Sequence, residues 1–171
     1  MKDERVNVSA EDNYPIRLAS KNGHTEIVTM LLNDIRVDPS AEDNYAIRIA
    51  SKNGFTEIVS MLLKHKRVDP SATNNNALRF ACVNGHADIV QMLLNDERVD
   101  PAANDNCAIR WASRNGHAEI VKILLQDERV DPSADNNYSM TWASKNGHTD
   151  IVKILLEDGR VGGYSAVISL D

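Results

Sequence analysis

Residues 98–128 read RVDPAANDNCAIRWASRNGHAEIVKILLQDE, and four further edited copies of the same sentence stand around them. The Arg-Val pairs fix the register: Arg5, Arg36, Arg67, Arg98, Arg129 and Arg160 recur at a constant spacing of 31 residues. A period between about 20 and 50 residues marks a solenoid, in which no unit buries its apolar face alone and each stacks on its neighbours. The expected organisation is a single domain over 1–171, with repeats at about 5–35, 36–66, 67–97, 98–128 and 129–159 and a partial C-terminal repeat at 160–171.

Within one copy the punctuation predicts two short helices, and so an all-α fold. Asp100-Pro101 opens a turn, because proline fixes φ and pushes the residue before it out of the helical region. Asn106 precedes Cys-Ala-Ile-Arg-Trp-Ala-Ser and is expected to cap that helix, as are Asn13, Asn44, Asn75 and Asn137 in their copies. Gly23, Gly54, Gly85, Gly116 and Gly147 close the first helices, since glycine takes the left-handed position without a Cβ penalty. The second helix carries Ile120, Val121, Ile123, Leu124 and Leu125, a face wide enough to be sandwiched between neighbours. Helices of about nine residues are marginal alone, so stacking must supply the stability. Asn106, Ile109, Ala112, Gly116, Ile120, Val121, Leu124 and Leu125 are read as the frame of the repeat.

The segment 115–125, Asn-Gly-His-Ala-Glu-Ile-Val-Lys-Ile-Leu-Leu, resembles the second half of an ankyrin repeat. Ala-Ile-Arg-Trp-Ala-Ser at 108–113 is similar to that family's Pro-Leu-His-x-Ala-Ala, with Pro15 alone keeping the proline. The resemblance implies a helix-turn-helix solenoid of five repeats. The family's usual period is about 33 residues, and both missing residues fall in the connecting finger, so shorter projecting turns are expected. The family's capping Thr is replaced by Tyr14, Tyr45, Asn76, Cys107 or Tyr138, which is why the preceding Asn is assigned the cap. The wording is also similar to repeat proteins of giant viruses and free-living amoebae, which would put the chain in a host-cell cytoplasm.

The balance of 19 Lys+Arg against 25 Asp+Glu gives a net charge of −6, which argues against nucleic acid and anionic membranes as partners. The N-terminus has no apolar leader and no run is long enough to span a membrane. Cys82 and Cys107 form neither a disulfide framework nor a zinc spacing and read as packing residues in a cytoplasmic or nuclear protein. No Gly-rich phosphate loop, metalloprotease motif or nucleophile–base pair is present, so neither catalysis nor a cofactor is expected.

Four ladders recur at the repeat period. His24, His86, His117 and His148, with Phe55 in the second copy, cannot share a metal, because stacked helices lie about 8–10 Å apart and zinc ligands bind at about 2.0–2.1 Å. Arg17, Arg48, Arg79 and Arg110 are expected to reach forward to Asp38, Asp69, Asp100 and Asp131 in the next turn, or to bind a phosphate or peptide carboxylate; Thr141 ends the series. Leu18, Ile49, Phe80, Trp111 and Trp142 are either core or, at the two tryptophans, an exposed hot spot. Lys21, Lys52, Arg114 and Lys145, with Val83 in the middle copy, suit the negative end of the first helix.

In ankyrin-like proteins these last positions look onto the concave surface together with the turn residues, here Glu11, Glu42, Thr73, Asn104 and Asp135. They vary between copies while the frame does not, as a recognition surface on a fixed scaffold would. The partner-binding candidates are therefore these, with Tyr14, Tyr45, Asn76, Cys107, Trp111, Tyr138 and Trp142; a merely solvated surface is the competing reading. The expected function is non-enzymatic binding of a protein partner by a monomer. A self-associating structural element, or the substrate-recruiting arm of a ubiquitin-ligase adaptor, as some viral ankyrin proteins are, are the alternatives. The first copy lacks the Asp-Pro turn, and the tail from Arg160 is expected to fold over Ile154 and Leu155.

Overall fold

The computed structural model describes residues 7–161. Arg5-Val6 and the tail from residue 162, expected to cover Ile154 and Leu155, lie outside them. The described residues form ten helices and no strand, in the order α1 (Ala10–Asn22), α2 (Thr25–Leu32), α3 (Ala41–Asn53), α4 (Thr56–Leu63), α5 (Ala72–Asn84), α6 (Ala87–Leu94), α7 (Ala103–Asn115), α8 (Ala118–Leu125), α9 (Ala134–Lys145) and α10 (Thr149–Asp158). Each odd–even pair is one copy of the repeat.

The chain divides into two compact units, Met1–Asp100 and Pro101–Asp171. In the first, α3 packs between α1 and α5, and α4 between α2 and α6. Ile16, Ile47 and Leu78 of the first helices and Val28, Ile58, Val59, Leu62, Ile89, Val90 and Leu93 of the second are buried there. In the second, α7 packs on α9 and α8 on α10, enclosing Ile109, Ala112, Ile120, Val121, Leu124, Met140, Ile151 and Leu155. Each such side chain removed from water is worth about 1.5–3 kcal/mol, which is how helices of eight residues persist. Ile123 and Leu125 are only half-buried, so the sandwiched face is narrower than the apolar run suggests.

The first helices close on a left-handed glycine as expected, and Gly23, Gly54 and Gly116 have a second reason. A Cβ on Gly116 (φ +84°) would lie 2.7 Å from Cε1 of His148, and one on Gly54 would meet His86 at the same distance. Those imidazoles lean on the preceding copy and reach its last helical turn: His86 Nε2 is 3.1 Å from the Lys52 carbonyl and His148 Nε2 is 3.1 Å from that of Arg114. Phe55 fills the same place against Gly23. Among the described residues no group of three His, Cys, Asp or Glu side chains could hold a metal ion.

The connecting fingers are tight turns whose buried member is the valine of the Arg-Val pair: Val37, Val68, Val99 and Val130 are at most 2 % exposed. Asp-Pro builds the turn as expected. Asp38 Oδ1 accepts the Ser40 amide at 3.1 Å and its hydroxyl at 2.6 Å, and Asp69–Ser71 and Asp131–Ser133 repeat the pattern. Two residues before the arginine, in every described finger but that of Arg67, an acid grips it: Asp96 takes Arg98 Nε and Nη2 at 2.9 and 2.6 Å, and Asp34, Asp127 and Asp158 do the same for Arg36, Arg129 and Arg160. Thus held, Arg98 Nη1 donates to the Val68 carbonyl at 2.7 Å and Arg160 Nη1 to that of Val130 at 2.8 Å; Arg67, with His65 in place of the acid, donates to that of Val37.

These grips make an acid-sensitive device. Hydrogen bonding from Arg98, Arg129 and Arg160 holds the carboxyls of Asp96, Asp127 and Asp158 below their usual value near 3.8, against burial, and the Ser40 hydroxyl does likewise for Asp38. A carboxyl depressed in the folded state contributes stability that is complete above its unfolded value and is lost as pH falls through the folded one. The melting temperature should therefore hold from neutral pH to about 5 and fall below about 4. Asp96→Asn/Asp127→Asn/Asp158→Asn should be less stable at neutral pH and lose less on acidification; an unchanged slope would exclude these groups as its source.

One expectation fails. Asn13, Asn44, Asn75, Asn106 and Asn137 are not ordinary helix caps. Each ends a run of three residues in the left-handed region, at 11–13, 42–44, 73–75, 104–106 and 135–137, with φ between +48° and +60°. The run is closed by the Asn amide donating to the residue four before it, as from Asn44 to Ser40 O at 2.8 Å and Asn106 to Ala102 O at 2.9 Å. The Asn side chain faces the following copy: Oδ1 of Asn13, Asn44, Asn75 and Asn106 accepts the amide of Asp38, Asp69, Asp100 and Asp131 at 2.7–2.9 Å. Each Asn is an inter-repeat tie.

Candidate functional site

The left-handed turns lift the first residue of each run, Glu11, Glu42, Thr73, Asn104 and Asp135, into solvent at the mouth of a first helix. Non-glycine residues resist this conformation by about 1–2 kcal/mol each, and in the first, second and fourth copies an arginine of the ladder braces it. Arg17 Nε and Nη2 donate to the carbonyls of Asp12 and Glu11 at 3.0 and 2.8 Å, and Arg48 grips those of Asp43 and Glu42 at 2.8 and 3.0 Å. Arg79 instead takes Asn76 Oδ1 with both Nε and Nη2. The forward ties from this ladder to Asp38, Asp69, Asp100 and Asp131 do not form. A guanidinium five residues into a helix lies over its own turn, and the asparagines make the forward contact.

Along the first-helix face of the first unit these cations lie over rings. Arg17 is 5.6 Å from the Tyr14 ring centroid and 5.9 Å from that of Tyr45, and Arg48 is 5.9 Å from Tyr45. Lys52 and Arg79 lie 5.7 and 4.5 Å from Phe80. Tyr14, Lys21 and Lys52 are exposed, and Tyr45, Asn76 and Phe80 half-buried.

The second unit gathers the same positions into a denser cluster. Arg114 lies 5.0 Å from the Trp111 ring and 4.4 Å from that of Trp142, which Lys145 approaches at 5.0 Å. Arg114 Nη1 donates to Tyr138 Oη at 2.9 Å, and the Tyr138 ring is 5.7 Å from Trp142. Arg110 stands over Tyr138 at 5.2 Å, donates to the Asn104 carbonyl at 3.2 Å and pairs with Asp135 of the next copy. In this one case the ladder does reach a forward carboxylate. The core reading of the ladder from Leu18 to Trp142 does not hold: Leu18 is 38 % exposed and Ile49, Phe80, Trp111 and Trp142 are half-buried, the three aromatics each a platform for a cation.

A family model described as ankyrin repeats (3 copies) matches residues 16–105 and again 97–163. The chain belongs to the ankyrin-repeat family. Ankyrin repeats are generally protein–protein interaction modules, and the family is generally non-enzymatic. No curated protein matches the chain. Among the described residues no helix is long and apolar enough to cross a membrane.

On this ankyrin scaffold the sixteen candidate residues separate cleanly. Fifteen reach solvent on the turn tips or first-helix faces. Cys107 is 6 % exposed and is withdrawn from the set: the position after the left-handed run turns inward when its side chain is small, whereas tyrosine there extends out to meet an arginine. Cys82 is likewise buried. Sequence reasoning missed Phe80, Arg17, Arg48, Arg79 and Arg110 as parts of the face. The signal was available in part, since an aromatic and a cation three places on, as Trp111 with Arg114 and Trp142 with Lys145, share one side of a helix.

Proposed function

We propose that the chain is a protein-binding module whose partner lies along the first-helix face, concave in solenoids of this kind, and against the turn tips. One observation carries the reading: the first-helix and turn-tip series that differ from copy to copy face solvent, while the apolar frame that repeats is buried. The series Lys21, Lys52, Val83, Arg114, Lys145 and Glu11, Glu42, Thr73, Asn104, Asp135 vary at the surface; Ile16, Ile47, Leu78, Ile109, Met140 and the alanines from Ala19 to Ala143 vary little and are enclosed. Buried residues cannot select a partner, and exposed ones that stability does not constrain can. The cytoplasm or nucleus is the proposed setting, in keeping with a chain whose two cysteines build no disulfide framework.

Affinity capture from the native cell, with the parent chain and with Lys52→Glu, Arg114→Glu and Lys145→Glu combined, tests the reading. A partner held by the parent should bind the variant at least about tenfold more weakly, a change of about 1.4 kcal/mol, while the melting temperature moves little. Unchanged affinity would remove this face from consideration.

A patch on the first copy favours self-association as a second reading. Ile27, Met30 and Ile35 are 47, 70 and 87 % exposed. In sedimentation the parent would then show a concentration-dependent oligomer that Met30→Glu/Ile35→Glu dissolves; a monomer at all concentrations sets that reading aside.

A further inference from the structure

We propose that Trp111, Arg114, Trp142 and Lys145 form a receptor for a single carboxylate side chain, that of glutamate, in an acidic peptide segment of the partner. The proposal rests on the protein-binding reading above.

Charge is the first argument. The chain carries more acids than bases, yet Arg114 and Lys145 sit together over one indole with no carboxylate partner among the described residues. Several arginines elsewhere in the chain differ. Arg36, Arg98, Arg129 and Arg160 are gripped by acids in their own turns, and Arg110 pairs with Asp135. That last pair also occupies the turn-tip carboxylate of the same copy as Trp142, which would otherwise be the natural internal counter-ion.

Preorganisation is the second. The Arg114 carbonyl accepts Asn146 Nδ2 at 2.7 Å as well as the His148 ring, which anchors the backbone, and Tyr138 Oη holds Nη1. The guanidinium carbon lies over both indole rings, 5.0 Å from Trp111 and 4.4 Å from Trp142, and the donors other than that to Tyr138 lie in the guanidinium's own plane. An edge-on guanidinium is a planar fork matched to a carboxylate. Flanking indoles exclude water from that contact and give the glutamate methylenes an apolar bed.

Trp111 and Trp142 are the chain's only tryptophans, so intrinsic fluorescence reports on this site alone. Peptides selected from a random display library on the full chain should be enriched in glutamate and should shift that fluorescence on titration. Changing the key glutamate to glutamine should weaken binding about tenfold or more, the range for charge-assisted hydrogen bonds. Arg114→Met and Lys145→Met should each do the same with melting temperatures near the parent's, and Arg114→Lys should restore only part. If Arg114→Met unfolds, Lys145→Met and the glutamine peptide still decide. The proposal is overturned if no peptide is selected, if the selected peptides lack acids, if they leave the fluorescence unmoved, or if phosphoserine in place of glutamate binds tenfold tighter. Peptides that bind but ignore Arg114 and Lys145 defeat this site and leave the module reading standing. A captured native partner indifferent to the face variant defeats the module reading whatever the peptides do.

Discussion

Leu62→Ala lowers the free energy of unfolding by about 2–5 kcal/mol, the range for a buried leucine whose cavity cannot close. Leu62 is fully buried on α4, which is packed against α2, α3 and α6, so three helices would have to shift to fill the space. Two comparisons separate packing from propensity. Leu31, the same position in the first copy, is 9 % exposed, and α2 packs chiefly against α1 and α4; Leu31→Ala should fall at the low end of that range. Met30→Ala, at a side chain 70 % exposed, should stay within about 0.5 kcal/mol. Urea titration followed by helical circular dichroism checks all three. Because repeat arrays lose cooperativity locally, a second transition in the Leu62 variant would be read as unfolding of its unit. Equal losses for Leu31 and Leu62 would mean that the stack does not grade its packing by position.

What was legible in the residues is what repeats within one copy. The 31-residue period, the left-handed glycines, the buried isoleucines and leucines and the Asp-Pro turn depend on local chemistry and on a hydrophobic face of fixed width. Illegible was what each copy does to the next. The asparagine looked like a helix cap because a cap is the local use of asparagine before a helix, whereas its amide oxygen is placed by the neighbouring finger. Arginine at the fourth position of the first helix looked like a forward tie because the last copy lacks both it and the next turn, a coincidence of the chain's end. Half the correction was still written down. Each copy carries Asp or Asn at both second and third places of the run, the residues that tolerate left-handed backbone. The aromatic–cation face was divided into an apolar ladder and a basic ladder, because their meeting depends on how closely successive first helices stack.

That misread asparagine supplies the other large effect. Asn106→Ala should destabilise the chain by about 2–4 kcal/mol, combining the left-handed penalty of about 1 kcal/mol with the loss of the only side-chain acceptor given for the Asp131 amide, about 1–3 kcal/mol. The two parts come apart by substitution. Asn106→Gly keeps the conformation and removes the acceptor, and should lose the second part alone; Asn106→Asp keeps an acceptor of similar shape and should lose least. Asn137 is the internal control. Its Oδ1 is buried without a hydrogen-bond partner among the described residues, and the amide 25 residues on belongs to Gly162, outside them. Asn137→Ala should therefore forfeit about 1 kcal/mol, the conformational part alone. Should the two alanine variants melt alike, the tie between copies contributes nothing, and the asparagine is retained only because it tolerates the left-handed turn that carries the recognition residues.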